Sequence, residues 1–195
     1  NWEAPKDIYG RDQLFEPTGI AVAKDGTVVV ATRTAGIWRI RNDKWTKFAE
    51  GTYECLGVWI EDDKGDQFVV MQKPELTRMK DSNGDGRGDS FETVCDDYGF
   101  HGNYHEYAHG PVRDKEGNYY FSLNLSHGGN ERTSWRAGGP FMGSMGGYRG
   151  WACRVTPGGK FEPFANGLRS PAGIGVDPEG RIWYAENQGE YVGSS

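Results

Sequence analysis

Residues 81–92 read DSNGDGRGDSFE and supply every position that a twelve-residue calcium loop specifies. Asp81, Asn83, Asp85 and Asp89 stand at loop positions 1, 3, 5 and 9, and Gly86 takes the sharp turn at position 6. Arg87 offers its backbone carbonyl at position 7, and Glu92 would bind with both carboxylate oxygens at position 12. Hard oxygen donors at this spacing suit Ca²⁺. In an EF-hand such a loop joins two helices, but these flanks are of another kind. QFVVMQKPELTRMK before the loop contains Pro74 and alternates as a strand does, and FETVCDDYGF after it has no helical period. The expectation is a structural Ca²⁺ that staples a hairpin, with no signalling switch.

A second stretch, HGNYHEYAHGP, carries three of the four histidines: His101, His105 and His109. HEYAH formally matches the H-E-x-x-H zinc motif, in which two histidines one helical turn apart hold the metal and Glu106 would activate its water. That chemistry needs a helix. Gly102 before the motif and Gly110-Pro111 after it leave little room for one, and Val112 stands where the extended pattern requires Gly. A zinc hydrolase is therefore the minor reading. In an extended segment, residues 101, 105 and 109 would point the same way, because side chains alternate with a period of two. Two of these histidines are read as structural. His105 is the candidate general base, a role suited to a group that titrates near neutrality.

The elements that must carry these residues follow from composition and repeats. Glycine is 30 of 195 residues, aromatics are 13% and hydrophobic residues only 36%, which describes an all-β protein of short strands and many turns. The net charge of −6 excludes a nucleic-acid partner, since phosphate binding needs clustered Lys and Arg. No apolar run approaches the ~20 residues of a membrane span. The chain opens NWEAPKD without a signal-peptide pattern and reads as mature or fragmentary. Cys55, Cys95 and Cys153 form no CxxC, so they admit one disulfide with a free thiol or three reduced thiols.

A turn-and-strand unit recurs as TGIAVAKDGTVVVAT, LGVWIEDDKGDQFVVMQ, HGPVRDKEGNYYFSLN and AGIGVDPEGRIWYAEN. In three copies the anchor glycines lie seven apart (Gly19 and Gly26, Gly110 and Gly117, Gly173 and Gly180), and the copy with Gly57 and Gly65 has one extra residue. Each unit is a short apolar strand, a polar turn ending in Gly, and a second strand. Further strands follow in GIWRIRNDKWTKFAE and WACRVTPGGKFEPFA. Four strands per repeat define a β-propeller of four-stranded blades, with units near 17–50, 55–94, 104–165 and 171–195. Two inserts stretch the repeat, the calcium-type loop 81–92 and a Gly-rich run over 127–150. Such inserts are where function usually sits. A six-bladed propeller needs about 250 residues at ~40 per blade, so the chain reads as incomplete at its C-terminal end.

GNYHEYAHGPVRDKEGNYYFSLN together with GLRSPAGIGVDPEGRIWYAENQG resembles the glucose/sorbosone dehydrogenase family of six-bladed propellers. QKPELTRMKDSNGDGRGDSFETV and RVTPGGKFEPFANGLRSPAGIGVDPEGRIWYAENQGEYVGSS are more closely similar to the planctomycete-type membrane-bound dehydrogenase domain. The resemblance implies oxidation of a sugar or polyol hydroxyl through pyrroloquinoline quinone (PQQ), with a second Ca²⁺ at the quinone and His105 as base. It places Arg169 and Ser170 at the motif that contacts the cofactor, with Ser in place of the motif's Asn. Tyr104 stands where characterised members carry an acidic residue. Glu186 and Asn187 are the remaining candidates, for a second metal or for the cofactor rim. The implied setting is bacterial, periplasmic or extracellular, with an electron acceptor such as a c-type cytochrome. The rival reading is a non-catalytic, calcium-stabilised propeller used as a carbohydrate-binding or scaffold module.

Overall fold

The computed structural model describes residues 3–100, 102, 104–125 and 147–187. His101, most of the Gly-rich insert and the last eight residues lie outside the described residues. Strands β1 (Pro17–Val22), β2 (Val28–Thr32), β3 (Ile37–Arg41) and β4 (Lys44–Ala49) form one sheet in that order. β5 (Val58–Ile60), β6 (Gln67–Met71), β7 (Leu76–Lys80) and β8 (Ser90–Cys95) form a second. β9 (Ala108–Arg113), β10 (Tyr119–Leu123), β11 (Trp151–Val155) and β12 (Phe161–Asn166) form a third, and β13 (Pro171–Val176) pairs with β14 (Ile182–Glu186). Chain neighbours pair antiparallel in each sheet, and no helix occurs among the described residues. The all-β expectation of four-stranded sheets holds.

Two compact units divide the chain, Asn1–Gln72 with Leu76–Val94, and Lys73–Glu75 with Cys95–Ser195. The repeated turns explain the second anchor glycine. Gly26, Gly117 and Gly180 donate to the carbonyls of Ala23, Asp114 and Asp177, three residues back in each case. Their φ angles of 89°, 89° and 87° are a region that side chains with a Cβ rarely enter. The copy with one extra residue closes differently: the Asp62 carboxylate accepts the amides of Asp66 and Gln67, and Gly65 has φ 68°.

The first anchor glycine has a separate cause. A Cβ on Gly19 would lie 2.6 Å from the Cα of Gly57, so β1 and the start of β5 meet at a distance only glycine permits. A Cβ on Gly110 would meet the Tyr120 carbonyl at 3.0 Å, whereas at Gly173 nothing lies within 4 Å. In the first unit, the facing sheets bury Val29, Ala31, Ile37 and Phe48 against Phe68, Val70 and Met79. The other face of the first sheet is covered by Phe15, Trp38 and Trp45, whose rings meet edge-on at 5.6 to 6.1 Å. With both faces covered, β2 is buried throughout, which is why its sequence VVVAT does not alternate.

The cysteine alternatives resolve as three separate buried thiols. Burial raises the thiols of Cys55 and Cys153 to about 12 and that of Cys95 to about 11, so none is a reactive thiolate near neutrality.

The crowding at Gly19 generates a paired test. Gly19→Ala should destabilise the chain by about 1–3 kcal/mol through overpacking, read as a lower urea midpoint at unchanged m-value. Gly173→Ala, at the equivalent repeat position with open space, should shift the midpoint little.

Candidate functional site

The calcium-type loop connects β7 to β8, so its strand flanks agree with the sequence expectation. It is wound on its own side chains. Asp81 Oδ1 accepts the Gly84 amide at 2.8 Å, and its Oδ2 accepts the Gly86 amide at 2.9 Å. Asn83 Oδ1 accepts the amide of Asp85, and Asp85 Oδ1 that of Arg87. Asp89 accepts both the amide and the hydroxyl of Ser82, and that backbone bond first of all lowers its carboxyl pKa. The loop packs on the first sheet: Gly88 donates to the Phe48 carbonyl, and Arg39 Nη2 lies 3.2 Å from Asp81 Oδ2, with both side chains buried.

Glu92 is not brought to this loop. It sits on β8 and pairs with Arg78 at 2.9 Å. Among the described residues, no three His, Cys, Asp or Glu side chains gather as a metal cluster. The reason is visible: Asp81, Asn83, Asp85 and Asp89 face the loop's own amides. Their oxygens are of the kind Ca²⁺ takes.

The histidine stretch agrees with one expectation, the lack of room for a helix, and corrects another, the common direction of the histidines. Tyr104 and His105 form a turn, and β9 begins only at Ala108, so the zinc motif has no helix. The same turn breaks the two-residue period. His105 is exposed, whereas His109 lies half-buried on β9 opposite Ser122. Burial lowers the His109 pKa from 6.5 to about 4, so it is neutral near pH 7. Glu106, the third member of the motif, is fully buried with Arg149: Arg149 Nε lies 3.8 Å from Glu106 Oε1, and Nη2 donates to the Gly99 carbonyl at 2.7 Å. Burial depresses the guanidinium pKa, with Glu106 opposing that shift.

Backbone hydrogen bonds string the other candidates along one end of the third and fourth sheets. Asn124 donates to the Tyr107 carbonyl at 2.9 Å, Leu125 to Arg169 at 2.9 Å, and Asn187 to Ser170 at 3.0 Å. The Glu186 carboxylate accepts the amides of both Arg169 and Ser170. His105, Arg169, Ser170, Glu186 and Asn187 thus share a single run of chain segments in the second unit, with Glu186 used to shape the Arg169–Ser170 backbone. Beside them, Ser122 Oγ and Asn124 Oδ1 are buried with no hydrogen-bond partner among the described residues. Ser122 ends β10 with Leu123 and Asn124 follows it, so these two atoms mark an unfilled demand for a polar group at that strand end.

Sequence reasoning missed Lys73, Arg149 and Arg39. All three are buried cations, and charged residues are so rarely buried that no local pattern marks them. The KPE run between two strand-like segments was the one available hint at Lys73.

The chain matches no family model and no curated protein. Solved structures share its fold. The soluble aldose sugar dehydrogenase of Escherichia coli, in its apo form, matches with a TM-score of 0.66 at 13% identity, over 90% of this chain and 58% of that one. The PQQ domain of pyranose dehydrogenase from Coprinopsis cinerea, in its holo form, matches with a TM-score of 0.62 at 13% identity, over 89% and 44%. Virginiamycin B lyase from Staphylococcus aureus matches with a TM-score of 0.57 at 18% identity, over 91% and 51%. The fold is that of a β-propeller, an architecture shared with a sugar dehydrogenase, with the PQQ domain of another dehydrogenase and with a lyase. The chain spans about half the length of these structures.

The buried imidazole of His109 makes stability depend on pH. Its folded pKa of about 4 lies below the ordinary 6.5, so the unfolded chain binds the extra proton between these values. Stability should therefore be fully present above pH 6.5 and decline as pH falls toward 4, by up to roughly 3 kcal/mol. His109→Gln should flatten that part of a urea-midpoint-against-pH profile; an unchanged slope would remove His109 as the cause.

Proposed function

We propose that this propeller oxidises a hydroxyl of a sugar or polyol, with a bound quinone as hydride acceptor and His105 as the base. The observation that carries the reading is the run of segments bringing the exposed His105 turn, Arg169 and Ser170 to one end of the sheets, next to two buried polar atoms that have no hydrogen-bond partner among the described residues. The fold shared with sugar dehydrogenases supports it. A quinone of the PQQ type would supply two-electron, hydride-accepting chemistry that no side chain provides. His105 would take the hydroxyl proton as the carbonyl forms. The planar Arg169 guanidinium suits bidentate pairing with cofactor carboxylates, and the Ser170 hydroxyl can donate beside it. A second Ca²⁺ would accompany the quinone, and electrons would pass on to an acceptor such as a c-type cytochrome. The proposed location is periplasmic or extracellular. Among the described residues no helix is long and apolar enough to cross a membrane.

Residues 81–89 are proposed to hold a structural Ca²⁺ through Asp81, Asn83, Asp85, the Arg87 carbonyl and Asp89, leaving Glu92 with Arg78. One observation favours a non-catalytic carbohydrate-binding or scaffold propeller instead: the side chain before His105 is the exposed, uncharged ring of Tyr104.

Full-length material reconstituted with Ca²⁺ and PQQ should reduce an artificial acceptor with some sugar or polyol, and His105→Ala should lower kcat by ~10²–10⁴-fold. No quinone-dependent reduction with any of them would favour the binding module. For the loop ion, Ca²⁺ at 100 times its Kd should stabilise the fold by about 2.7 kcal/mol. Asp85→Asn should weaken that thermal shift and Glu92→Gln should leave it intact. Equal losses in both would return Glu92 to the ligand set.

A further inference from the structure

We infer that Lys73 is the positioning residue of the His105 turn, an assignment that rests on the reading of His105 as base. Lys73 lies between β6 and β7, 31 residues before Tyr104 in the chain, yet groups with the second unit. Its side chain is 2% exposed, an unusual place for an ammonium. Nζ donates to the Tyr104 carbonyl at 3.0 Å and lies 4.5 Å from the Tyr107 ring centroid and 5.5 Å from that of Tyr104. The cation therefore sits against two aromatic rings, where desolvation strengthens the attraction.

These contacts bracket His105 on both sides. The Tyr104 ring stands edge-on to the His105 imidazole at 5.2 Å and to the Tyr107 ring at 5.7 Å. The Tyr107 amide donates to the His105 carbonyl at 2.8 Å. His105 is itself exposed and precedes β9, so it lies outside the strand ladder. Lys73 grips the residue before it by a charge-assisted bond and the residue two after it by the ring face. Burying an ammonium is costly unless the charge is well partnered. Here the Tyr104 carbonyl and both ring faces belong to the segment that carries the candidate base.

The test reads His105 directly. Histidine Cε1–H resonances of the full-length protein are recorded, with His105→Ala supplying the assignment. Lys73→Met should move and broaden the His105 resonance while that of His109, held in β9, keeps its position. Lys73→Arg should restore the wild-type line. With PQQ, Ca²⁺ and a turning-over sugar, Lys73→Met should lower kcat about tenfold with KM little changed, and Lys73→Arg should recover most of it. A Lys73→Met protein that melts lower but keeps the wild-type His105 resonance and kcat would show a merely structural lysine and overturn the proposal. If that variant does not fold, Tyr107→Leu removes one wall of the cage and is judged by the same resonance. Absence of quinone-dependent turnover in the wild type would overturn the base reading alone, and the resonance would still decide Lys73.

Discussion

A buried arginine anchors an irregular segment in each of the two units, from strand β3 in the first and from the turn before β11 in the second. In the first unit Arg39 reaches both Asp66 and Asp81, and so pins the start of the calcium-type loop to the first sheet. In the second, Arg149 spans from the Gly99 carbonyl to Glu106 and pins the chain between β8 and β9. Segments of this kind have no ladder hydrogen bonds and little apolar surface to bury. A guanidinium, with five donors in a planar fork, can serve carbonyls and carboxylates together where an ammonium could not. Its desolvation is offset only while its partners stay in place.

That arrangement explains why HEYAH is not a zinc motif despite its spelling. Glu106 faces inward to Arg149, while His105 faces out from a turn and His109 belongs to a strand. Neighbouring residues of one short stretch thus meet three different environments: solvent, a buried ion pair and a half-buried strand face. The same separation lets His105 be the accessible imidazole while His109 is held neutral by desolvation. The neighbours in fold, two sugar-oxidising enzymes and a lyase, make the same point at larger scale. The propeller supplies rigid strand ends, and the chemistry rests on what those ends and their loops present.

The architecture was legible because its signals are local. Turn glycines seven residues after the first anchor, short apolar strands bounded by polar turns and the near-absence of helical periodicity are properties of neighbouring residues, and three of the four turns form the same hydrogen bonds. The calcium-type loop was legible for the same reason, since Asp81, Asn83, Asp85 and Asp89 satisfy amides within their own loop. The pairing of Glu92 with Arg78 was not legible, because Arg78 lies on β7, fourteen residues before it. The common direction expected for His105 and His109 failed because a turn intervenes before the strand begins.

By itself, then, the sequence determined an all-β repeat, its turns, and the residue types available for an oxygen-rich loop and for acid–base work. Periodicity and glycine conformation act over a few residues and need no partner from elsewhere in the chain. Only the tertiary structure decided which anchor glycine is sterically obligatory, at Gly19 against Gly57 but not at Gly173. It alone showed that Lys73 belongs under Tyr104 and Tyr107, and that Arg169, Ser170 and Glu186 share one run with the His105 turn. Those facts are contacts between residues tens of positions apart. Burial, desolvation and close approach are set by what folds against a residue, which its own neighbours in the chain do not specify.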